Sequence, residues 1–209
     1  MSDIIRTKRF RSMIGWLGMI LPWLAVLLQL FNDIFKWPPS ISATWYTNAC
    51  TPFMIILGAA GLLLICYHGY DKTDDILNTL AGIMALGICL FPCKAAYVPE
   101  GCISWEPVGT FLIPMVVSSW IHNICAIGFF VILAYISIFQ FTKGDSGTRN
   151  KRIRNVIFRV CGIGMVASFL IFLLPKFYIR VWLIEAIALF FFGVSWLTKA
   201  NKYKILFRD

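Results

Sequence analysis

An apolar run from Trp120 to Phe141, WIHNICAIGFFVILAYISIFQF, is followed at once by the basic segment Lys143 to Arg159, KGDSGTRNKRIRNVIFR, and together they leave this chain few folds to choose from. A run of roughly 20 such residues crosses a hydrocarbon core as a helix rising 1.5 Å per residue. Lys143, Arg149, Lys151, Arg152, Arg154 and Arg159 then place its trailing end on the cytoplasmic side. The rest of the composition agrees: 59% of the 209 residues are hydrophobic and only 14% charged, too apolar for a soluble domain.

Counting the remaining apolar runs gives six spans, at about 13–31, 50–68, 76–92, 119–141, 156–174 and 179–197. The first follows Arg6, Lys8, Arg9 and Arg11 but is too long for a signal-peptide core and lacks an A-x-A-like cleavage site, so it reads as an uncleaved helix that tolerates Pro22. The second carries Gly58 and Gly61 around Ala59 and Ala60, a small-residue face expected to be buried in the bundle. The third is expected to reach through Asn78 and Thr79 at its inner end. Pro175 to Tyr178 alone separates the last two spans, making them an antiparallel hairpin. The expected fold is all-α: a polytopic bundle of six transmembrane helices, one domain over residues 1–209, with cytoplasmic N- and C-termini.

The formal net charge of +9 raises nucleic-acid binding as a function, and the distribution of the charge answers against it. Under this topology the inner ends and loops hold Arg6 to Arg11, Lys72, Lys143 to Arg159 and Lys199 to Arg208, whereas the outer segments hold only Lys36, Lys94, Lys176 and Arg180. The positive charge is therefore topological and faces anionic lipid. The expected partners are membrane lipids, with a homo-oligomer through the glycine-rich second helix as a further reading and no nucleic acid. The expected location is a membrane, taken as the bacterial cytoplasmic membrane.

Two long outer segments shape the opposite side. In Asn32 to Asn48, NDIFKWPPSISATWYTN, Pro38 and Pro39 prevent a continuous helix. In Cys93 to Ser119, Pro99, Pro107 and Pro114 break the chain into short pieces, and Trp105, Phe111 and Trp120 suit the membrane interface, so this segment is expected to fold back as a lid. Cys93 and Cys102 lie across it as the most plausible disulfide, while Cys66, Cys89, Cys125 and Cys161 read as packing residues.

Glu185 is the most informative single residue, since it stands well inside the sixth apolar span, where a carboxyl is costly unless neutral or paired. Helix counting puts His122 at a comparable depth, so the two are candidates to meet, as an acid–base pair, as part of a metal site or as a plain hydrogen bond between helices. Asn123, Ser119, Tyr46 and Asn48 share that outer layer, and Arg180 is placed to meet a phosphate or carboxylate headgroup. His122, Asn123, Glu185, Arg180, Ser119, Tyr46 and Asn48 are thus the candidate ligand-binding residues.

On the inner side His68 reads as a solvated or capping residue, and Asp71, Asp74 and Asp75 as partners for the basic loop rather than a cation site. No cysteine–histidine spacing reads as zinc, no metal or cofactor is called for, and no nucleotide, hydrolase or metalloprotease motif occurs. With two histidines a three-histidine hydrolase site cannot be assembled.

Through PPSISATWYTN and its six-span layout with short inner turns, the chain resembles six-pass proteins of the Frag/DRAM/Sfk type, with Ser40, Ser42, Tyr46 and Asn48 matching the outer motif. The resemblance implies a lipid-linked role, since members are associated with lipid remodelling, lipid asymmetry and autophagy, and it supplies no catalytic set. The leading expectation is a lipid-binding or lipid-regulating protein with an outer-leaflet pocket. A small transporter or channel with Glu185 as its buried switch, and a membrane enzyme acting on headgroups with His122 as base, are the alternatives.

Overall fold

The computed structural model describes residues 2–29 (side chains from 8), 37–94, 107–144 and 147–200. Six α-helices make up most of it: α1 (Ser2–Gln29), α2 (Cys50–Ile65), α3 (Lys72–Leu90), α4 (Met115–Tyr135), α5 (Arg149–Ser168) and α6 (Arg180–Lys199). A 3₁₀ turn, Ser42–Tyr46, precedes α2, and a two-strand hairpin, β1 (Pro107–Val108) with β2 (Ile113–Pro114), precedes α4. Among the described residues five helices are long and apolar enough to cross a membrane: Lys8–Gln29, Lys72–Leu90, Met115–Gln140, Arg149–Leu173 and Arg180–Lys199. The chain is therefore an all-α bundle of multi-pass membrane type.

The helix ends differ from the hydropathy boundaries for identifiable reasons. The apolar run predicts a second span over 50–68, but α2 ends at Ile65 and has only 16 residues. At 1.5 Å per residue that is roughly 24 Å, short of the ~30 Å core. Helix α3 starts at Lys72 rather than near 76, because Asp71 caps it by accepting from the Asp74 N–H at 2.9 Å. It stops at Leu90, two residues before Pro92. Helix α5 starts at Arg149 rather than near 156, capped by the Thr148 hydroxyl. Much of the basic segment is thus helix rather than loop. Its last turn tightens to a 3₁₀ form over Phe169–Leu173, while α4 widens to a π turn over Ile136–Gln140.

Each helix packs on its neighbours in the chain, and α6 closes back onto α1, so the six form a ring. The closure depends on close backbone approach. A Cβ on Gly193 would lie 2.8 Å from the Gly15 carbonyl, and one on Gly15 would lie 3.0 Å from the Gly193 carbonyl. Gly61 of α2 faces Gly82 of α3 in the same way, as the small-residue face predicts, whereas Gly58 faces open space. The centre is filled by Phe129, Phe192, Trp196 and Phe141, whose rings follow one another at centroid distances of 6.3, 6.1 and 5.2 Å. Outward, Trp16, Trp23, Ile55, Ile124, Val131 and Ile163 are exposed, the arrangement a surrounding bilayer requires.

Side-chain contacts identify the two ends of the bundle. At the basic end, Arg11 meets Tyr67, Lys143 pairs with Asp71, and the Lys199 ammonium stands 4.7 Å above the Phe141 ring. At the opposite end the segment after Pro38 lies across α6: the Trp182 backbone N–H donates to the Pro39 carbonyl at 3.0 Å, and the Trp37 and Trp182 rings meet edge to face. The β hairpin folds back on the end of α3 there. Phe111 stacks on Phe91 at 5.3 Å, and Gly109, at φ +73°, turns against Pro92, where a side chain would collide. Trp105 and Cys102 lie outside the described residues.

Candidate functional site

The segment across α6 decides what Glu185 touches. Pro38 and Pro39 keep this segment from continuing as a helix, and the 3₁₀ turn that follows brings the Ile41 N–H and the Ser42 hydroxyl to α6. Glu185 accepts from both, at 2.5 Å and 3.2 Å. The intramembrane carboxyl thus has hydrogen-bond partners, and they come from a loop rather than a helix.

His122 sits one helix away. It is 3% exposed and its Nδ1–H donates to the Phe91 carbonyl at 2.8 Å, one of the groups left open at the end of α3. Ser118, one turn earlier on α4, donates to the Pro92 carbonyl at 2.8 Å. No hydrogen bond joins His122 to Glu185 among the described residues, so the expected direct pair is not formed. Instead both line one cavity.

That cavity has a volume of about 690 Å³ and lies between α4, α5 and α6. One end is polar, with Ser40, Ser42, Cys93, His122, Asn123 and Glu185. The remainder is apolar, formed chiefly by Ile127, Phe130 and Val131 of α4, Met165 and Val166 of α5, Phe169 and Phe172 of its terminal turn, and Ile184 of α6. Phe130, Met165 and Ile184 are buried, while Ile127, Val131, Val166 and Phe172 are exposed on the flank of the bundle. The cavity therefore opens sideways, toward the bilayer. Its size is within the ~300–1,000 Å³ of ligand sites with a mostly apolar lining and a few polar groups.

The other candidates have different placements. Ser119 accepts from the Lys94 N–H at 3.2 Å and lines an adjoining pocket of about 290 Å³, which shares Trp120 and Asn123 with the main cavity. Arg180 stays at the turn between α5 and α6, donating to the Leu174 carbonyl and stacking 5.1 Å over Phe172. It reaches the cavity only through that ring. Tyr46 donates to the Cys93 carbonyl at 2.7 Å, and burial pushes its hydroxyl up to about 12, so it serves as a neutral tie between segments. Asn48 is exposed ahead of α2, outside the cavity lining. Cys93 is a free thiol, raised to about 12 by burial and then by the charge of Glu185; its expected disulfide partner Cys102 is not among the described residues.

At the basic end the carboxylates organise a turn. Asp74 accepts from the Tyr70 N–H and Asn78, Asp75 from the Gly69 N–H, and Asp71 pairs with Lys143, which holds its carboxyl below the usual value. The expected pairing with the basic loop is made by Lys143 to Asp71. His68 is exposed. Among the described residues no three His, Cys, Asp or Glu side chains come together as metal ligands.

Sequence reasoning did not assign Ser42, Ser40 or Cys93 to the site, nor its apolar wall. The signal for Ser42 was present in the two prolines just before it. Compared with protein-family models, curated proteins and solved structures, the chain matches none of them.

Proposed function

We propose that this membrane protein binds a lipid, holding its polar group against Glu185, His122, Asn123 and Ser42 and its hydrocarbon against the α4–α5–α6 wall. The observation that carries the reading is the cavity's division into one polar end and an apolar remainder that opens sideways. A solute taken from water would call for an opening at the bundle's end; a lipid enters from the flank. The series of rings from Phe129 to Phe141 lies between Glu185 and the basic end, which supports a pocket closed below over a transport path. The likeness of PPSISATWYTN to the Frag/DRAM/Sfk type points to lipid in the same way.

The basic end is assigned to the cytoplasm by the positive-inside rule, which puts the cavity in the outer leaflet. A variant retaining Cys66 alone, exposed at the basic end, is then labelled by an impermeant thiol reagent in inverted vesicles and not in right-side-out ones. For the lipid itself, native mass spectrometry of the detergent-purified protein is compared with the His122→Ala, Glu185→Ala variant. One headgroup class retained by the parent and lost by a folded variant is expected. Equal retention by both removes the polar end from the account.

A further inference from the structure

Glu185 has hydrogen-bond donors but no counter-charge among the described residues, and that imbalance indicates what a ligand must bring. Its two oxygens accept separately, Oε2 from the Ile41 N–H and Oε1 from the Ser42 hydroxyl. Acceptance at both oxygens is the pattern of an ionised carboxyl, which has acceptor sites to spare. A carboxylate out of water calls for a cation as well as hydrogen bonds.

The cations described near that end are engaged elsewhere. Arg180, earlier on α6, donates to the Leu174 carbonyl and stacks over Phe172. The His122 ring is turned to the Phe91 carbonyl. Among the described residues the ion pair is Lys143 with Asp71, at the basic end. The outer stretches outside the described residues, 30–36 and 95–106, contain Asp33, Glu100 and Glu106 against Lys36, so by sequence they add more acid than base.

The cavity gives access to this carboxylate, since Glu185 lines its polar end with Ser42 and Asn123. The adjoining pocket of about 290 Å³ shares Trp120 and Asn123 with it and carries Lys94 and Ser119. A carboxylate in one space and an ammonium in the next suit a zwitterion, with its own ammonium turned inward and its phosphate outward. A quaternary ammonium calls for a cage of aromatic rings. The polar end instead offers hydrogen-bonding side chains, with Trp120 as the ring beside them, which favours an ammonium that keeps its N–H donors. We infer, resting on the lipid-binding reading of this cavity, that Glu185 receives the primary ammonium of the bound amphiphile. That group is carried either by an aminophospholipid, its phosphate then lying toward Lys94, or by a long-chain amine.

The test uses the full chain in detergent, freed of co-purified lipid. It is offered equal amounts of phosphatidylethanolamine, phosphatidylcholine and phosphatidylglycerol with identical acyl chains, and separately dodecylamine against dodecanol, both scored by native mass spectrometry. Phosphatidylethanolamine is expected to be retained about tenfold over the other two phospholipids, a difference of about 1.4 kcal/mol. That result assigns the phospholipid source, and Lys94→Gln is then expected to lower its retention while leaving that of dodecylamine unchanged. Preference for dodecylamine over dodecanol, with the three phospholipids held equally, assigns the free amine. Glu185→Gln keeps an acceptor for the Ile41 N–H and is expected to bind lipid with its preference for the ammonium gone. Lipid retained by the parent with no preference for an ammonium in either series, or the same preference in Glu185→Gln, overturns the assignment to Glu185 and leaves the lipid pocket standing. A parent that retains no amphiphile at all removes both.

Discussion

Glu185 shows how a costly residue is accommodated, through the buried Ile41 N–H and the Ser42 hydroxyl that it accepts. Glu185→Ala leaves that N–H without its acceptor and is expected to lower stability in detergent by about 1–3 kcal/mol, whereas Glu185→Gln keeps an acceptor and costs less. Equal melting of the two variants would show that the hydrogen bond is unimportant. At the other end, Asp71 is stabilised as the carboxylate by Lys143. A carboxyl lowered on folding contributes stability above its unfolded pKa, and that contribution fades as pH falls through the folded value. The melting difference between the parent and Asp71→Asn is therefore expected to persist near neutrality and to vanish in acid below the usual carboxylate range. A difference that grows in acid would contradict the pairing. Glu185 and His122 were legible in the sequence as polar residues of similar depth. Their partners were not, because hydropathy gives depth along a helix and says nothing of the rotation that aims His122 at the Phe91 carbonyl.

The elements were legible wherever the apolar run and the helix coincide, as in α4 and α6, and less so where a helix continues past the apolar region. Lys72 to Asp75 and Arg149 to Arg154 look like loops on hydropathy alone, but the Asp71 and Thr148 caps carry the helices through them. The small residues were read correctly at Gly61 and missed at the more consequential contact. Gly15 and Gly193, on the first and last helices, close the ring, and nothing in their separate sequences announces that they meet. Gly193→Leu is expected to force α1 from α6 and cost about 1–3 kcal/mol or more in a thermal or denaturant melt. Gly58→Leu, which faces open space, is the control and is expected to melt like the parent.

At the scale of the whole molecule, one ring of helices carries two unlike pockets at its two ends. The first joins a few polar groups to an apolar wall open to the flank, and the second is lined by Arg11, Lys151, Arg154 and Lys199 at the basic end. Aromatic packing separates them, which gives each its own chemistry. A lipid held in the flank cavity must be displaced by a side chain that fills the same space. Ala126→Trp places a bulky side chain in the lining, and Ile55→Trp adds the same group to an exposed position on α2. Native mass spectrometry of the two purified variants beside the parent is expected to show the retained lipid in the parent and in Ile55→Trp, and its loss from folded Ala126→Trp. The same lipid, equally retained by all three, would contradict the account.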